Sequence, residues 1–399
     1  MKKLKEKYAK LLLQCLCLEE KDYLFVRLPN YLSDFKKYLE EAASEYALKG
    51  IYFDVTDPLK KHELMKHLDQ ENINKHPFFD HSIYNKYAKL DAAFLFIQSM
   101  IPDLMNDIEP KKIKETARYI RSTEEYFRKL YEADKLNWCI AGVPNEVWAK
   151  KGLNMEVDDL WRLIFKVCLI DEKNDPYVKW QQKLDQIDET AKKLTHYNFE
   201  YLQYKNKLGT DLKVFLPKNY CFASGKDKFG RIVNMPTEEV FTSPNRLNVN
   251  GRVYASKDLI HNNNLIKDFW LEFKDGKVVD FDAKVGKAVL QGIMDTDEGA
   301  SYLGEVALVD YSSPISKTGI LFKNTLYDEN ASCHLALGAS FAECIKEGLT
   351  KTNEELLLMG LNYSHTHVDF FIGTSDLEVK AILQNNEEVV IIENGDFKE

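Results

Sequence analysis

The sequence predicts an α/β protein with two domains: an N-terminal α/β domain with a mostly parallel sheet, and a larger, mixed α+β C-terminal domain. Three observations predict this class. Helical periodicity alternates with short apolar runs through the first 185 residues, and strand-like segments dominate from residue 210 onward. The length of 399 residues suits two domains of roughly 100–200 residues each. We therefore predict domains at 1–185 and 186–399.

The first half supplies the alternating pattern. Helical periodicity marks the segments 2–17, 31–48, 59–69 and 111–133. Short apolar runs that predict strands lie at 23–26, 50–55, 93–98 and 138–141. Asp175 and Pro176 begin a further helix that runs to about residue 195. Because no glycine-rich dinucleotide motif or Walker motif occurs, we assign no cofactor to this half.

The second half is dominated by strands separated by turns. Strand-like segments fill 210–285, with turns predicted at 225–230, 248–251 and 275–276. A helix is predicted around 286–304 and a strand over 304–310. One helix is predicted from Asn330, as its N-cap, to Gly348. Strands at 366–373 and 389–392 complete the predicted elements.

Charge and cysteine content narrow the class of protein. The net charge of −9 disfavours a nucleic-acid partner, because neutralising phosphates requires a basic surface. The seven cysteines are odd in number and form no C-x-x-C motif. A disulfide framework or a thiolate zinc site is therefore not expected, and a reducing compartment is indicated.

The N-terminus has some features of a secretory signal peptide. However, Lys7 and Lys10 precede the apolar run, Gln14 interrupts it, and no small-residue cleavage site follows. We therefore predict an amphipathic first helix. No stretch approaches the ~20 apolar residues of a membrane span, so a cytoplasmic protein without a membrane partner is expected.

Residue types that bind metals are concentrated in the C-terminal half. His365, His367 and Asp369 alternate along a predicted strand, which places all three on one face. A nucleophilic enzyme has less support, because no G-x-S-x-G motif occurs. Cys333 and His334 are neighbours in a predicted helix, so their side chains would point about 100° apart.

Other acidic and imidazole side chains each allow a second interpretation. Glu329 and His334 lie at a predicted helix entrance and converge only if Glu329 is in the preceding loop. Glu329 alone is also explained as a charge favoured by the helix dipole. Glu238, Glu239 and Glu305 are equally consistent with solvated strand ends, and His334 with an ordinary core histidine. The pattern alone leaves a metal enzyme as one interpretation among several.

Eight segments of the second half follow one another in the order of a known family. They are 209–212, 236–242, 297–300, 303–308, 313–315, 325–332, 334–338 and 367–370. Looser matches in the first half are 8–12, 138–149 and 175–180. Over nearly its whole length, the chain resembles the thermophilic-type metallo-aminopeptidases of the aminopeptidase T, aminopeptidase S and PepS group.

This resemblance implies a metallo-aminopeptidase, an exopeptidase that hydrolyses the N-terminal residue from short peptides through a metal-activated water. It implies two divalent metal ions (zinc, cobalt, magnesium or manganese) in a catalytic domain at 186–399. Glu305 matches the carboxylate that bridges the metals. A homodimer is also implied, with 1–185 serving access and dimer shape. The family's ligand positions fall on Glu239, Glu305, Glu329, His334, His367 and Asp369.

Two positions beside these ligands bear on catalysis. Glu238 directly precedes Glu239 and is the predicted general base, although strand alternation would point it to the opposite face unless a bulge intervenes. Phe341 occupies a position where the family commonly carries tyrosine. The phenol hydrogen bond to an oxyanion is lost there, unless Tyr363 or His365 substitutes.

The loss of that phenol leaves an alternative of a different class. The chain would then be a metal-retaining, peptide-binding protein with lost or weak turnover. Hydrolysis of aminoacyl substrates with metal added distinguishes it from the enzyme. A third interpretation, a metal-dependent phosphoesterase or amidohydrolase, has less support because no basic phosphate cradle is evident in the sequence.

Overall fold

The computed structural model describes residues 1–227, 230–261 and 264–398. The chain divides into two compact units. One comprises 1–181 together with 226–236, and the other comprises 182–225 together with 237–399. The predicted class, an α/β fold with a parallel sheet and a further mixed α+β part, is confirmed. The predicted turn at 225–230 lies partly outside the described residues.

In the first unit, five of the described strands form a sheet in the order β2-β1-β3-β4-β8. All its strand pairs are parallel. Numbered in chain order, the strands are β1 (Tyr23–Pro29), β2 (Gly50–Thr56), β3 (Ala93–Gln98), β4 (Trp138–Gly142) and β8 (Asn234–Met235). The first four confirm the strands predicted from apolar runs. The fifth strand was not predicted.

Helices connect these strands. They are α1 (Lys2–Gln14), α2 (Ser33–Ala43), α3 (Pro58–His67), α4 (Gln70–Ile73), α5 (Ile83–Lys89), α6 (Pro110–Thr123), α7 (Glu125–Glu132) and α8 (Val157–Val167). The helix predicted over 111–133 is two helices, α6 and α7, that meet at Glu124. The predicted amphipathic first helix is confirmed, because α1 buries Tyr8, Leu11 and Leu12. None of the described helices is long and apolar enough to cross a membrane.

The second unit contains a large, mainly antiparallel sheet. Helix α9 (Pro176–His196) leads into it, as predicted from Asp175 and Pro176. Its strands are β5 (Phe199–Lys205), β6 (Asp211–Phe215), β10 (Val249–Tyr254), β11 (Leu259–His261), β12 (Asn264–Lys274), β13 (Lys277–Val285), β17 (Glu378–Leu383), β18 (Glu388–Glu393) and β19 (Asp396–Phe397). The helices α10 (Lys287–Met294), α11 (Thr325–Asp328) and α12 (Asn353–Leu358) accompany it.

A smaller antiparallel sheet in the second unit has the order β16-β15-β14-β9-β7. Its strands are β7 (Ala223–Ser224), β9 (Val240–Thr242), β14 (Leu303–Leu308), β15 (His334–Gly338) and β16 (His367–Phe371). One face carries Val306, Leu335 and Phe370, which are neighbours in register and belong to the core shared with the large sheet. Phe370 contacts Phe269 of β12 there, with ring centroids 5.9 Å apart. The opposite face carries polar side chains beside a smaller apolar cluster that includes Phe241 and Ala307.

The prediction of one helix from Asn330 to Gly348 is wrong. Residues 329–331 form a short 3-10 turn, and His334–Gly338 is the central strand of the smaller sheet. Every residue of that strand is buried, which removes the alternation that marks a half-exposed strand. The strand predicted at 366–373 begins at His367, so His365 lies before it.

Candidate metal centre

Strand register brings four of the predicted ligands to one face of the smaller sheet. Glu305 on β14 and Asp369 on β16 flank Ala336 of β15 from either side. Since directly paired residues share a face and side chains alternate, His334 lies on this face too. His367, two residues before Asp369, also shares it. The core residues Val306, Leu335 and Phe370 occupy the alternate positions.

Glu239 reaches the same face from the neighbouring strand. Phe241 on β9 pairs with Ala307, which itself pairs with His334. Glu239 lies two residues before Phe241, directly before this strand begins, and is buried. Its Oε2 lies 3.3 Å from Nε2 of His334.

The five side chains form two groups whose ligand atoms lie within 4.8 Å of one another. Glu239, Glu305 and His334 form the first group, and Glu305, His367 and Asp369 form the second. In the second, Nε2 of His367 lies 3.0 Å from Oε2 of Glu305 and 3.1 Å from Oδ1 of Asp369. Glu305 is therefore common to both groups.

Both imidazoles are oriented by backbone carbonyls. Nδ1 of His334 lies 3.2 Å from the oxygen of Ser332, and Nδ1 of His367 lies 2.8 Å from the oxygen of Ala339. Because a carbonyl oxygen only accepts hydrogen bonds, each Nδ1 carries the hydrogen. Each Nε2 is thereby directed toward the carboxylates. This arrangement fixes the tautomer and orientation in which histidine binds a metal.

The crowding of carboxylates around two imidazoles shifts the pKa values of the group. Burial raises the pKa of Glu305, although His367 and His334 oppose the shift. Burial lowers the pKa of His334, but the adjacent Glu239 and the other carboxylates outweigh this and raise it to about 10. The pKa of His367 rises for the same reason, through Asp369 and Glu305.

Glu329 lies close to this group without belonging to either set. Burial raises its pKa well above the ordinary value, and the charges of Glu239 and Asp369 add to the shift. It is in the 3-10 turn that precedes β15, and Nδ2 of Asn330 lies 3.5 Å from its Oε1. The turn, rather than a helix entrance, brings Glu329 toward His334.

Glu238 is held by a different set of contacts. Its carboxylate forms an ion pair with Lys183 on α9, and its backbone N–H donates to Oδ1 of Asn330 at 2.6 Å. It belongs to neither group of candidate ligands. The sequence does not indicate Lys183, and it predicts Asn330 as a helix N-cap and not as the acceptor of this hydrogen bond. A half-buried lysine that pairs with a glutamate distant in the chain leaves no pattern in the sequence.

Phe341 packs against a candidate ligand, whereas His365 contacts Asp297 and Tyr363. The Phe341 ring lies 5.0 Å from the His367 ring and 5.4 Å from the Phe241 ring, measured between centroids. His365 is exposed and donates its backbone N–H to Asp297 at 2.7 Å. Its ring stands edge-on to Tyr363, with centroids 5.5 Å apart.

A small cavity of about 120 Å³ adjoins the second group of ligands. His367 and Asp369 form part of its wall, together with Asp258, His261 and Val368. Asp258 is half-buried and lies 3.7 Å from Lys267. The cavity offers space for a small chemical group next to the candidate ligands. The carboxylate of Asp258 lines the same space.

The residues present fit divalent metal ions. Oε2 of Glu239 is buried and has no hydrogen-bond partner in the described chain, although it lies near His334. A buried, unpaired carboxylate oxygen is costly unless a cation satisfies it. The donor set combines carboxylate oxygens with imidazole nitrogens, which suits zinc, cobalt, manganese or magnesium.

Comparisons with known proteins agree with this chemistry. The family model for the thermophilic metalloprotease (M29) family matches residues 1–397. "Aminopeptidase 2" of Geobacillus stearothermophilus is 34% identical, with 98% of this chain and 97% of the relative covered. "Aminopeptidase PepS" of Streptococcus thermophilus is 36% identical, with 86% and 85% covered.

The structural comparison extends to the whole chain. The structure titled "Wild-type AmpT from Thermus thermophilus" superposes with a TM-score of 0.89 at 28% identity, covering all of both chains. The predicted enzyme class, a hydrolytic metallo-aminopeptidase, is thus confirmed. The chain belongs to the thermophilic metalloprotease (M29) family.

Proposed function

We propose that the chain is a two-metal aminopeptidase that removes the N-terminal residue from short peptides. The observation that carries this proposal is the pair of ligand groups that share Glu305 on one sheet face. In the proposal, Glu239, Glu305 and His334 hold one ion, with Glu329 completing its shell. Glu305, His367 and Asp369 hold the other. Divalent ions in such sites lower the pKa of water and polarise a carbonyl.

In this proposal, groups of the protein itself orient the metal-binding imidazoles and accept a proton. The carbonyls of Ser332 and Ala339 hold both imidazoles in the binding tautomer. Glu238 remains the proposed proton acceptor. Its ion pair with Lys183 opposes the rise in pKa that burial causes. Catalysis by Glu238 would require its carboxylate to reach a water between the ligand groups while it stays near Lys183.

The cavity beside His367 and Asp369 supports an N-terminal substrate. Its volume of about 120 Å³ suits a small substrate group. Asp258 supplies a carboxylate that would pair with a free α-ammonium. The aminopeptidase names of the relatives support peptides as the substrate class.

The proposal also covers the compartment and the oligomeric state of the enzyme. We propose a cytoplasmic homodimer in which residues 1–185 serve access and dimer shape, as the family resemblance implies. All seven cysteines are free thiols, which agrees with a reducing compartment.

The test measures free amino acid released from di- and tripeptides by metal-stripped protein. Zn, Co, Mn or Mg is restored singly, and N-acetylated peptides serve as the substrate control. Glu305→Ala removes the shared carboxylate, and Glu354→Ala, at an exposed position of α12, is the matched control. We expect metal-dependent release from free N-termini alone, lost in Glu305→Ala and kept in Glu354→Ala.

The same experiment addresses the alternative that Phe341 suggests. A protein that binds two metal ions per chain but releases no amino acid with any metal would be a metal-retaining peptide-binding protein. Release from N-acetylated peptides would instead contradict the aminopeptidase assignment while leaving a metal hydrolase.

A further inference from the structure

The first unit contains a cavity that the metal chemistry does not use. It has a volume of about 360 Å³, within the range of small-molecule sites. Apolar side chains such as Met65, Phe96 and Phe127 form much of its wall. All of its lining residues lie between 27 and 128, so it is built entirely within the unit that carries the parallel sheet.

The cavity lies at a position where parallel sheets commonly bind ligands. Strand β1 has β2 on one side and β3 on the other, so the chain reverses its direction along the sheet at β1. Crevices outside the carboxyl ends of strands at such a reversal are typical ligand sites. Arg27, two residues before the end of β1, stands in register with Asp54 on β2 and Phe96 on β3. Arg27 and Phe96 both line the cavity.

The charges that line the cavity are strongly unbalanced. Four of its lining residues are basic and one is acidic, in a chain whose net charge is −9. The basic residues are Arg27, Lys61, Arg121 and Arg128, and the acidic residue is Glu124. This concentration of positive charge opposes the balance of the whole protein, which indicates an anion-binding site.

Part of this charge is already neutralised within the fold. Nη1 of Arg27 donates to Oη of Tyr84 at 2.6 Å and lies 3.9 Å from Oδ2 of Asp54. Glu124 contacts His81 at 3.3 Å and Arg128 at 3.7 Å. These contacts satisfy the acidic groups, so the remaining positive charge is at Lys61 and Arg121.

Lys61 is the residue that points most directly to a ligand. Its ammonium has no ion pair or hydrogen bond within the described chain. Burial and the nearby Arg27 lower its pKa to about 8. Lys61 is half-buried, and an ammonium that is partly removed from water without a counter-ion costs stability. A bound anion would remove that cost.

The absence of glycine from the loops after β1 and β3 favours a carboxylate ligand over a phosphate ligand. Phosphate sites at the ends of parallel strands use glycine-rich turns whose backbone approaches the ligand closely. No glycine occurs between residues 27 and 49 after β1, or between 99 and 141 after β3. Single side-chain cations beside an apolar wall suit a carboxylate attached to an apolar body.

We propose that this cavity binds a small organic carboxylate with an apolar or aromatic body, whose carboxylate pairs with Lys61 and Arg121. The apolar part lies against Phe96, Phe127 and Met65. This site is separate from the candidate metal ligands, which all belong to the other unit.

The test uses isothermal titration of the metal-stripped full chain, so that no carboxylate binds through a metal ion. The probes are 3-phenylpropionate, its uncharged amide and inorganic phosphate. Lys61→Met removes the proposed partner. Lys60→Met, at the adjacent exposed position of α3 outside the cavity wall, is the matched control. Lys61→Gln is a second variant, and circular dichroism checks the folding of each.

We expect 3-phenylpropionate to bind and the amide to bind at least about tenfold more weakly, since a charged hydrogen bond is lost. Lys61→Met and Lys61→Gln should weaken carboxylate binding by a similar factor, and Lys60→Met should not. Equal affinity for acid and amide, unchanged binding in the folded Lys61 variants, tighter binding of phosphate, or no binding of the carboxylate would each overturn the proposal.

Discussion

At the scale of single residues, Phe341 is the position where the family resemblance implies a tyrosine. Its ring lies 5.0 Å from the ring of His367, measured between centroids, and we expect a hydroxyl on that ring to reach the second group of ligands. We predict that Phe341→Tyr raises kcat by up to roughly tenfold with unchanged metal content, because a donor near a developing oxyanion stabilises the transition state. Peptide hydrolysis at saturating substrate measures this.

The control for this substitution is Phe341→Leu, which keeps an apolar side chain and adds no donor. It should leave kcat unchanged or lower it. If Phe341→Tyr leaves kcat unchanged while metal binding is intact, the hydroxyl does not reach the reacting carbonyl. The chain would then derive its oxyanion stabilisation from other groups.

Glu238 allows a second test at the same scale. We predict that Glu238→Gln lowers kcat by about 10²-fold or more and leaves metal stoichiometry intact, as loss of a general base would. Lys183→Met removes the ion-pair partner of Glu238 but keeps its carboxylate. This variant therefore distinguishes a general base role of the carboxylate from a structural role of the ion pair. Activity that survives in Glu238→Gln at the level of the unmodified protein would exclude the general base role.

The residue types that could bind a metal were predictable from the sequence. The way in which the fold brings them together was not. His367 and Asp369 share a face because they alternate along a strand, and that pattern is local in the sequence. Glu239 and His334 meet only because β9 and β15, which are distant in the chain, both pair with β14. The carbonyls of Ser332 and Ala339, which orient the imidazoles, leave no trace in side-chain patterns.

At the scale of elements, the start of β14 determines where Glu305 lies. The pairing of β14 with β15 shifts between Leu303 and Glu305. Gly304 stands at this shift, and a Cβ there would overlap the carbonyl oxygens of Ala339 and Gly338. We predict that Gly304→Ala destabilises the protein by about 1–3 kcal/mol through overpacking. It should also lower metal affinity, because Glu305 is displaced.

The matched control is Gly292→Ala in α10, where an added Cβ has no heavy atom within 4 Å. It should stabilise the protein by about 0.5–1 kcal/mol, because alanine favours a helix interior over glycine. Denaturant unfolding and metal titration measure both variants. A Gly304→Ala protein as stable as the unmodified one, with full metal binding, would show that the strand tolerates the added carbon.

The parallel strands were predicted better than the strand at the centre of the site. Amphipathic helices alternate with apolar runs in the first half, so periodicity identifies both. His334–Gly338 is buried on both faces and contains Leu, Ala and Leu, which favour helices. Periodicity cannot distinguish such a strand from a buried helix. Strand β8 has two residues, too few to form any pattern.

At the scale of the whole molecule, metal binding should stabilise the two units unequally. The two candidate ligand groups lie in the unit that contains 237–399, where three carboxylates converge with two histidines. A ligand that binds the folded state alone stabilises it by about 2.7 kcal/mol at a hundredfold excess over Kd. We predict that added metal slows amide exchange in Leu303–Leu308, His334–Gly338 and His367–Phe371.

The parallel sheet of the first unit has its own aromatic core, built around Phe25, Tyr84, Phe94 and Phe127. Its strands Tyr23–Pro29 and Ala93–Gln98 should therefore exchange at the same rate with and without metal. Hydrogen–deuterium exchange of chelator-treated and metal-loaded protein measures both sheets in one experiment, and Glu305→Ala should abolish the difference. Equal protection of both sheets by metal would mean that the units unfold as one. No protection of either would contradict the metal centre itself, because a cation satisfying buried carboxylates must lower the free energy of the folded state.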